Sequence, residues 1–184
     1  MNHHWSYALV ELNACSEAVN WCRKQPDPAA AWQACERADW MLWLAGRLSG
    51  QVGDPRRVTL ALACADCTDT VPQSPIGAEC LRVLRAWASG EATIQCVRTA
   101  AAAASSAAYA AAAAYAAADA DAAVYAADAT DAAAAASSAA AAAAYAAAYA
   151  AYGRLAWQEA KAEHMRVMCE IVRRHYPEPP AMGE

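Results

Sequence analysis

An alanine-rich block at residues 100–152 constrains the fold of this chain more than any other feature of its sequence. Of these 53 residues 37 are alanine, and no glycine or proline occurs between Gly90 and Gly153. Alanine has the highest intrinsic helix propensity and is depleted in strands. The block therefore predicts an all-α protein and excludes a solenoid of β-strands, while a glycine count of 7 in 184 residues excludes collagen.

The block is too long to form one helix in a protein of this size. At the α-helical rise, the stretch without glycine or proline would be a rod roughly 90 Å long, in a chain of 19.3 kDa. We therefore expect two or three antiparallel helices, joined at residues that favour helix caps over helix interiors. The candidate turns are Ser105-Ser106, residues 119–121, Thr130-Asp131 and Ser137-Ser138.

Alanine methyl groups let helices approach each other closely, toward the short end of the usual ~8–10 Å spacing. The predicted architecture is a compact multi-helix bundle or short helical stack with tightly packed Ala-rich C-terminal helices. We expect a single all-helical domain over residues 1–184. It combines a half rich in Trp, Leu and Cys (1–90), an Ala-rich half (91–176) and a flexible tail (177–184).

Capping signals divide the rest of the chain into further helices. Asp27-Pro28, Asp54-Pro55 and Ser74-Pro75 each place a capping side chain before a proline, which is a typical helix start. The segment 40–48 (WMLWLAGRL) is apolar on nearly every side, so we expect it in the centre of the fold. The predicted helices cover residues 8–24 (with a break at Asn13 or Ser16), 29–35, 40–48, 55–71, 75–89 and 154–176.

Two stripes of polar residues within the alanine block form the candidate interface. At 100° per residue, Asp and Tyr side chains share one helix face while the opposite face is almost pure alanine. Tyrosine is enriched in protein interfaces, so we interpret the stripes as a surface that binds a partner. The alternative is that the rings fill gaps in an alanine core and the carboxylates keep the block soluble. The candidate residues are Asp121, Tyr125, Asp128 and Asp131 in one stripe and Tyr145, Tyr149 and Tyr152 in the other.

No motif in the chain points to catalysis or metal binding. The CxxC at Cys64 and Cys67 lies on an apolar helical stripe with Leu60 and Val71, and no second pair of ligands follows at the spacing of a zinc site. His164 and His175 are 11 residues apart, or ~16 Å along a helix, too far to share a metal. We therefore expect no enzyme, no cofactor and no metal.

Asp66 and Asp69 form a pair at i, i+3 that we interpret as an ordinary surface feature. An enzyme with an unrecognised site stays an alternative; it would require a deep polar pocket containing groups with perturbed pKa values.

The charge distribution argues against nucleic acid and membrane partners. The net charge is −5, and all 14 Lys and Arg lie outside residues 100–152. A basic footprint for nucleic acid or for an anionic membrane is therefore missing. The even number of cysteines, 8, would permit disulfides. Because residues 1–10 carry no secretory signal, we instead expect a cytoplasmic protein whose thiols are free and serve as small core residues.

Four segments carry a resemblance to a known family. They read ACSEAVxW at 14–21, AWxACERxDWMLWL at 31–44, RVLRAWASGEAT at 82–93 and EIVRRHYPEPP at 170–180. With the Ala/Tyr/Asp block, they resemble bacterial and phage proteins grouped as immunity proteins, the fifth class described in polymorphic toxin systems. The resemblance implies a compact helical protein without a cofactor. It also implies that the protein binds and neutralises another protein, either a toxin or, for phage-borne relatives, a host defence component such as a CRISPR effector.

The sequence thus predicts a non-catalytic inhibitor that binds a protein target, and the acidic, cation-free block favours a target with a basic surface. One alternative is a phage-encoded anti-defence inhibitor such as an anti-CRISPR protein. The other is a structural or self-assembling helical bundle that forms a homodimer through alanine faces.

Overall fold

The computed structural model of the protein describes residues 4–50, 54–70, 75–111 and 154–182. Within these ranges the chain forms eight α-helices and no strand, which confirms the predicted all-α fold. The helices are α1 (Tyr7–Glu11), α2 (Ser16–Cys22), α3 (Pro28–Ala34), α4 (Ala38–Leu48), α5 (Pro55–Thr68), α6 (Pro75–Ala88), α7 (Ile94–Ala111) and α8 (Arg154–His175). No helix of the described ranges has a stretch both long and apolar enough to cross a bilayer.

Two of the three predicted capping signals are confirmed, whereas the cap predicted at Ser74 lies outside the described residues. The Asp27 carboxylate accepts a hydrogen bond from the backbone N–H of Ala30 at 2.7 Å, and Asp54 accepts one from Arg56 at 2.9 Å. Each aspartate thereby satisfies a backbone donor that the first turn of a helix leaves without a partner. The prolines that follow occupy the first turns of α3 and α5, where their missing N–H costs nothing.

The break predicted within residues 8–24 is also confirmed. Helix α1 ends at Glu11, and Asn13 takes a φ of +63°, a left-handed conformation that asparagine adopts more readily than most residues. The chain then enters α2 at Ser16. This bend separates two short helices that would otherwise form a single rod.

Helix α5 lies at the centre of the fold, because it packs against α4, α6 and α8, while α7 packs against α6. The side chains of Leu60, Cys64 and Cys67 are fully buried, so the predicted core role of the CxxC pair is confirmed; Val71 lies outside the described residues. All eight cysteines of the chain are free thiols, and five of them are buried.

The central position predicted for residues 40–48 is only half correct. Helix α4 buries one face, with Met41 and Leu42 almost fully enclosed, against α5 and α8. Its other face, formed by Trp40, Trp43 and Leu44, is half-buried. The apolar pattern predicted contacts on all sides, but the second face borders a cavity instead of a packed helix.

Helix α7 runs without interruption from Ile94 to Ala111. The turn predicted at Ser105-Ser106 is therefore wrong. A serine inside a helix costs only about 0.5 kcal/mol relative to alanine, which the surrounding alanines easily tolerate. The other predicted turns, at 119–121, Thr130-Asp131 and Ser137-Ser138, lie outside the described residues.

Helix α8 joins the C-terminal part of the chain to the N-terminal half. The helical spacing of Met165, Met168, Cys169, Val172 and Tyr176 predicts one apolar stripe. The first four are buried, which confirms it, and Tyr176 is half-buried. They pack in the same hydrophobic cluster as the buried residues of α3 to α7. The following residues 177–182 are not helical. They nevertheless contact α3, since the Gln33 amide donates a hydrogen bond to the carbonyl of residue 177 at 3.1 Å.

Candidate functional site

A cavity of about 290 Å³ lies among α1, α2, α3, α4 and the C-terminal tail. Five of the seven tryptophans of the chain line it, and we call it the Trp cavity. Its tryptophans are Trp5, Trp21, Trp32, Trp40 and Trp43. Methyl, thioether and thiol groups complete much of the wall, including Pro179 and Met182 of the tail. The interior therefore offers mainly flat aromatic surfaces and few hydrogen-bonding groups.

Three successive helices each contribute side chains at i, i+3 and i+4, the spacing that places residues on one helix face. These triplets are Ala18, Trp21 and Cys22 on α2; Pro28, Ala31 and Trp32 on α3; and Trp40, Trp43 and Leu44 on α4. The small residues Ala18 and Ala31 leave the space that the indole rings surround. The cavity thus follows from a repeated pattern of one face per short helix.

Hydrogen bonds in both directions between α3 and the end of α8 form the floor of the cavity. The Trp32 indole, only 4% exposed, donates a hydrogen bond to the carbonyl of Tyr176 at 2.8 Å. The Arg173 guanidinium donates to the carbonyls of Trp32, at 3.2 Å, and Cys35, at 2.5 Å. The buried indole N–H thus has a partner, and these bonds connect α3 to the end of α8.

Three charged residues, Glu17, Arg37 and Asp39, border the cavity and are called the rim below. The Arg37 guanidinium donates two hydrogen bonds to the Asp39 carboxylate, at 2.9 and 2.7 Å, and lies 4.4 Å from the ring centroid of Trp40. The hydrogen bond with Asp39 raises the pKa of Arg37. Arg37 therefore combines a two-point ion pair with a cation–π contact.

Glu17 is the outermost carboxylate of the rim. Its side chain is 71% exposed, against 13% for Asp39, and it reaches the Arg37 guanidinium at 3.5 Å. This contact lies at the long limit of a hydrogen bond. The rim thus contains one cation and two carboxylates, with the more loosely held carboxylate facing water.

Two of the three thiols in the wall, those of Cys22 and Cys35, are poor nucleophiles. Burial, together with the nearby Cys35, raises the pKa of Cys22 to about 11, and burial also raises the pKa of Cys35. Both therefore stay protonated at neutral pH, and it is the thiolate that reacts and binds metals. The described residues also contain no group of three or more His, Cys, Asp or Glu side chains arranged to hold a metal.

A second polar cluster lies at the junction of α5, α6 and α8. The Arg85 guanidinium donates to Asp66 at 2.8 Å and to Asp69 at 2.5 Å, and the His175 ring lies 2.8 Å from the Asp66 carboxylate. Burial tends to raise the pKa of Asp66, but its hydrogen bonds with Arg85 and His175 outweigh burial and lower it. The arrangement ties three helices together. His164 instead contacts Thr70 at 2.8 Å.

The interface predicted in the alanine block lies outside the described residues. This applies to Asp121, Tyr125, Asp128, Asp131, Tyr145, Tyr149 and Tyr152 alike. The Trp cavity was not predicted at all, although the sequence carries a signal for it. Each of three successive short helices carries a tryptophan three or four residues after another apolar residue, in a chain with no phenylalanine.

Comparison with known proteins gave no match: no protein-family model fits the chain, and no curated protein or solved structure was found to be similar to it.

Proposed function

We propose that the protein is a non-catalytic inhibitor that binds a protein target, and that the Trp cavity receives a side chain of this target. The observation that carries the proposal is the convergence of five tryptophans on one surface cavity. Aromatic residues dominate the energetics of protein interfaces, and the strongest contacts form where an anchor residue fills a desolvated pocket. Since burial raises the pKa of Cys22 and Cys35, these two thiols supply contact surface instead of a nucleophile.

The size of the cavity favours an anchor residue over an extended cofactor. Pockets for drug-sized ligands have volumes of roughly 300–1,000 Å³, and the Trp cavity, at about 290 Å³, lies at the lower end. This is room for one large apolar side chain. The floor held by Arg173 and Trp32 adds rigidity, which reduces the entropy lost on binding.

The resemblance to immunity proteins points to the same surface. Much of that resemblance lies in residues 14–21 and 31–44. These two segments also contain most of the residues that line the cavity. The proposed target is accordingly a protein toxin, or, for a phage-borne inhibitor, a host defence component such as a CRISPR effector. The proposed location is the cytoplasm, where free thiols persist.

Affinity capture with matched variants tests the proposal. The full chain and the variants Trp43→Ala and Trp87→Ala are immobilised and exposed to lysate of the cell that carries the gene. Trp43 lines the cavity, whereas Trp87, also half-buried, lies on α6 and serves as the control. The captured protein is then purified, and its stoichiometry, affinity and residual activity are measured by calorimetry and activity assay.

We expect one stoichiometric partner whose activity falls on binding. Loss of a hot-spot contact weakens binding about 30-fold or more, so Trp43→Ala should do so while Trp87→Ala leaves the affinity unchanged. A lysate without a stoichiometric partner, a partner that keeps its activity, or equal effects of both variants would contradict the proposal. Light scattering that finds only a self-associated form would favour the self-assembling bundle instead.

A further inference from the structure

The rim gives the mouth of the Trp cavity an excess of negative charge. Asp39 holds the Arg37 guanidinium by two hydrogen bonds, and the face of Trp40 covers the same guanidinium. Glu17 shares this cation only through a single contact of 3.5 Å. The three charges sum to −1, and the carboxylate that is exposed to solvent is the one with the weakest hold on a cation.

The neighbouring surface repeats this imbalance. Glu36, 71% exposed, reaches the Arg166 guanidinium at 3.4 Å, and Arg166 is also paired with Glu163 at 2.5 Å. One arginine again serves two carboxylates. At both places the carboxylates outnumber the arginine by one, so the local charge beside the cavity favours a cation over an anion.

These charges discriminate between the groups that could fill the cavity. An acidic segment would meet Glu17 and Asp39, and a second copy of this chain would bring its own net charge of −5. A cation alone would find the face of Trp40 already covered by Arg37. A neutral small molecule would use the tryptophans but leave Glu17 without a further partner.

We propose that the cavity recognises a protein segment in which a large apolar side chain stands beside a lysine or arginine. The apolar side chain enters among the tryptophans, and the cation pairs with Glu17 at the rim. This inference rests on the proposed function, because the segment belongs to the inhibited target. It adds the chemistry that makes one target segment fit and another not.

Glu17 is thereby a specificity-determining residue, whereas the tryptophans supply most of the affinity. An exposed ion pair contributes modestly and is screened by salt, so we expect Glu17→Lys to weaken binding about fivefold at low ionic strength. Rim charges act mainly on the association rate. The loss should therefore appear in the on-rate and shrink as salt is added.

Peptide selection tests the inference without knowledge of the target. A phage-displayed library of random 12-residue peptides is selected on the full chain and, in parallel, on Glu17→Lys. Selected sequences are synthesised and their affinities measured at low and high salt. The control variant is Glu91→Lys, which reverses an exposed charge in the turn between α6 and α7, where no residue lines the cavity.

On the unmodified chain we expect peptides with Lys or Arg beside a Trp, Tyr, Leu or Met, and on Glu17→Lys a shift toward Asp or Glu. Binding should weaken with Glu17→Lys and Trp43→Ala but not with Glu91→Lys. Peptides without a charge preference, peptides insensitive to Glu17, or no selected peptide would overturn the inference. Failure of the proposed function looks different: no inhibited target is captured, whereas a captured target whose affinity ignores Glu17 refutes only the role of the rim.

Discussion

Helices α4 and α5 both bury apolar side chains, but they differ in what surrounds them. Helix α5 is packed within the core, whereas one face of α4 borders an open cavity. Helix α5 meets its neighbours through small or compact side chains such as Ala61, Ala63 and Cys64, none of them exposed. The outer face of α4 instead presents Trp40 and Trp43, which are half-buried. The comparison shows that apolar composition determines whether a helix face is buried. The shape of the side chains determines whether that face packs closely against a neighbouring helix.

The physical reason lies in how the side chains interlock. Small methyl and thiol groups let neighbouring helices pack at short distances. Close packing increases the dispersion attraction between their side chains. Rigid indole rings keep α2, α3 and α4 apart, while Ala18 and Ala31 cannot fill the space between them. The cavity is therefore a region where the fold forgoes close packing, which is what the proposed binding role requires.

Truncation of one large side chain in each region tests this difference most strongly. Leu60→Ala in α5 leaves a void at a fully buried site and should lower the free energy of unfolding by about 3 kcal/mol. Trp43→Ala in α4 removes a half-buried ring at the cavity and should cost about 1 kcal/mol. Urea unfolding followed by far-UV circular dichroism measures both; equal losses would mean that the two faces are packed alike.

The same exchange, alanine to leucine, should have opposite effects on stability in the two regions. Ala63→Leu inserts a larger side chain into the closed core and should destabilise the protein by about 2 kcal/mol. Ala18→Leu projects into the Trp cavity and should stabilise it by about 0.5–1 kcal/mol. Thermal unfolding of the two variants gives the signs, and destabilisation by Ala18→Leu would show that the cavity is filled in solution.

The local elements of the fold were largely predictable because their signals are local. The caps Asp27 and Asp54, the break near Asn13 and the stripe of α8 each depend on a few neighbouring residues. The wrong prediction of a turn at Ser105-Ser106 also comes from a local signal, which in this case is too weak to decide the structure. Capping preference predicts where a helix can end, but a difference of about 0.5 kcal/mol does not force it to end there.

The candidate site was not predictable in the same way, because it depends on the relative placement of helices distant in sequence. The periodicity of Trp40, Trp43 and Leu44 predicts a buried face, and only the positions of α2 and α3 reveal that the face borders a cavity. The hydrogen bonds from Arg173 to the carbonyls of Trp32 and Cys35 join residues about 140 positions apart. The local sequence around either end does not predict them. The predicted interface at Asp121 to Tyr152 stays a prediction.

The smallest expected effect concerns the hydrogen bonds that Asp66 on α5 makes with Arg85 and His175. Because hydrogen bonds from Arg85 and His175 lower the pKa of Asp66 despite its burial, its carboxylate stabilises the folded state above the ordinary aspartate pKa of about 3.9. That stabilisation is lost as the pH falls from there through the lower pKa of the folded state. Since the side chain is 40% exposed, solvent screening limits the effect to about 0.5 kcal/mol.

Asp66→Asn should therefore lower the free energy of unfolding at pH 7 and reduce the loss of stability between about pH 4.5 and pH 3. Urea unfolding at a series of pH values measures this, with Glu91→Gln, at an exposed turn, as the control. The cavity should keep its properties, because neither Asp66 nor its partners Arg85 and His175 line the wall. A variant that loses peptide binding together with its acid response would show that the closed core and the open cavity are energetically coupled.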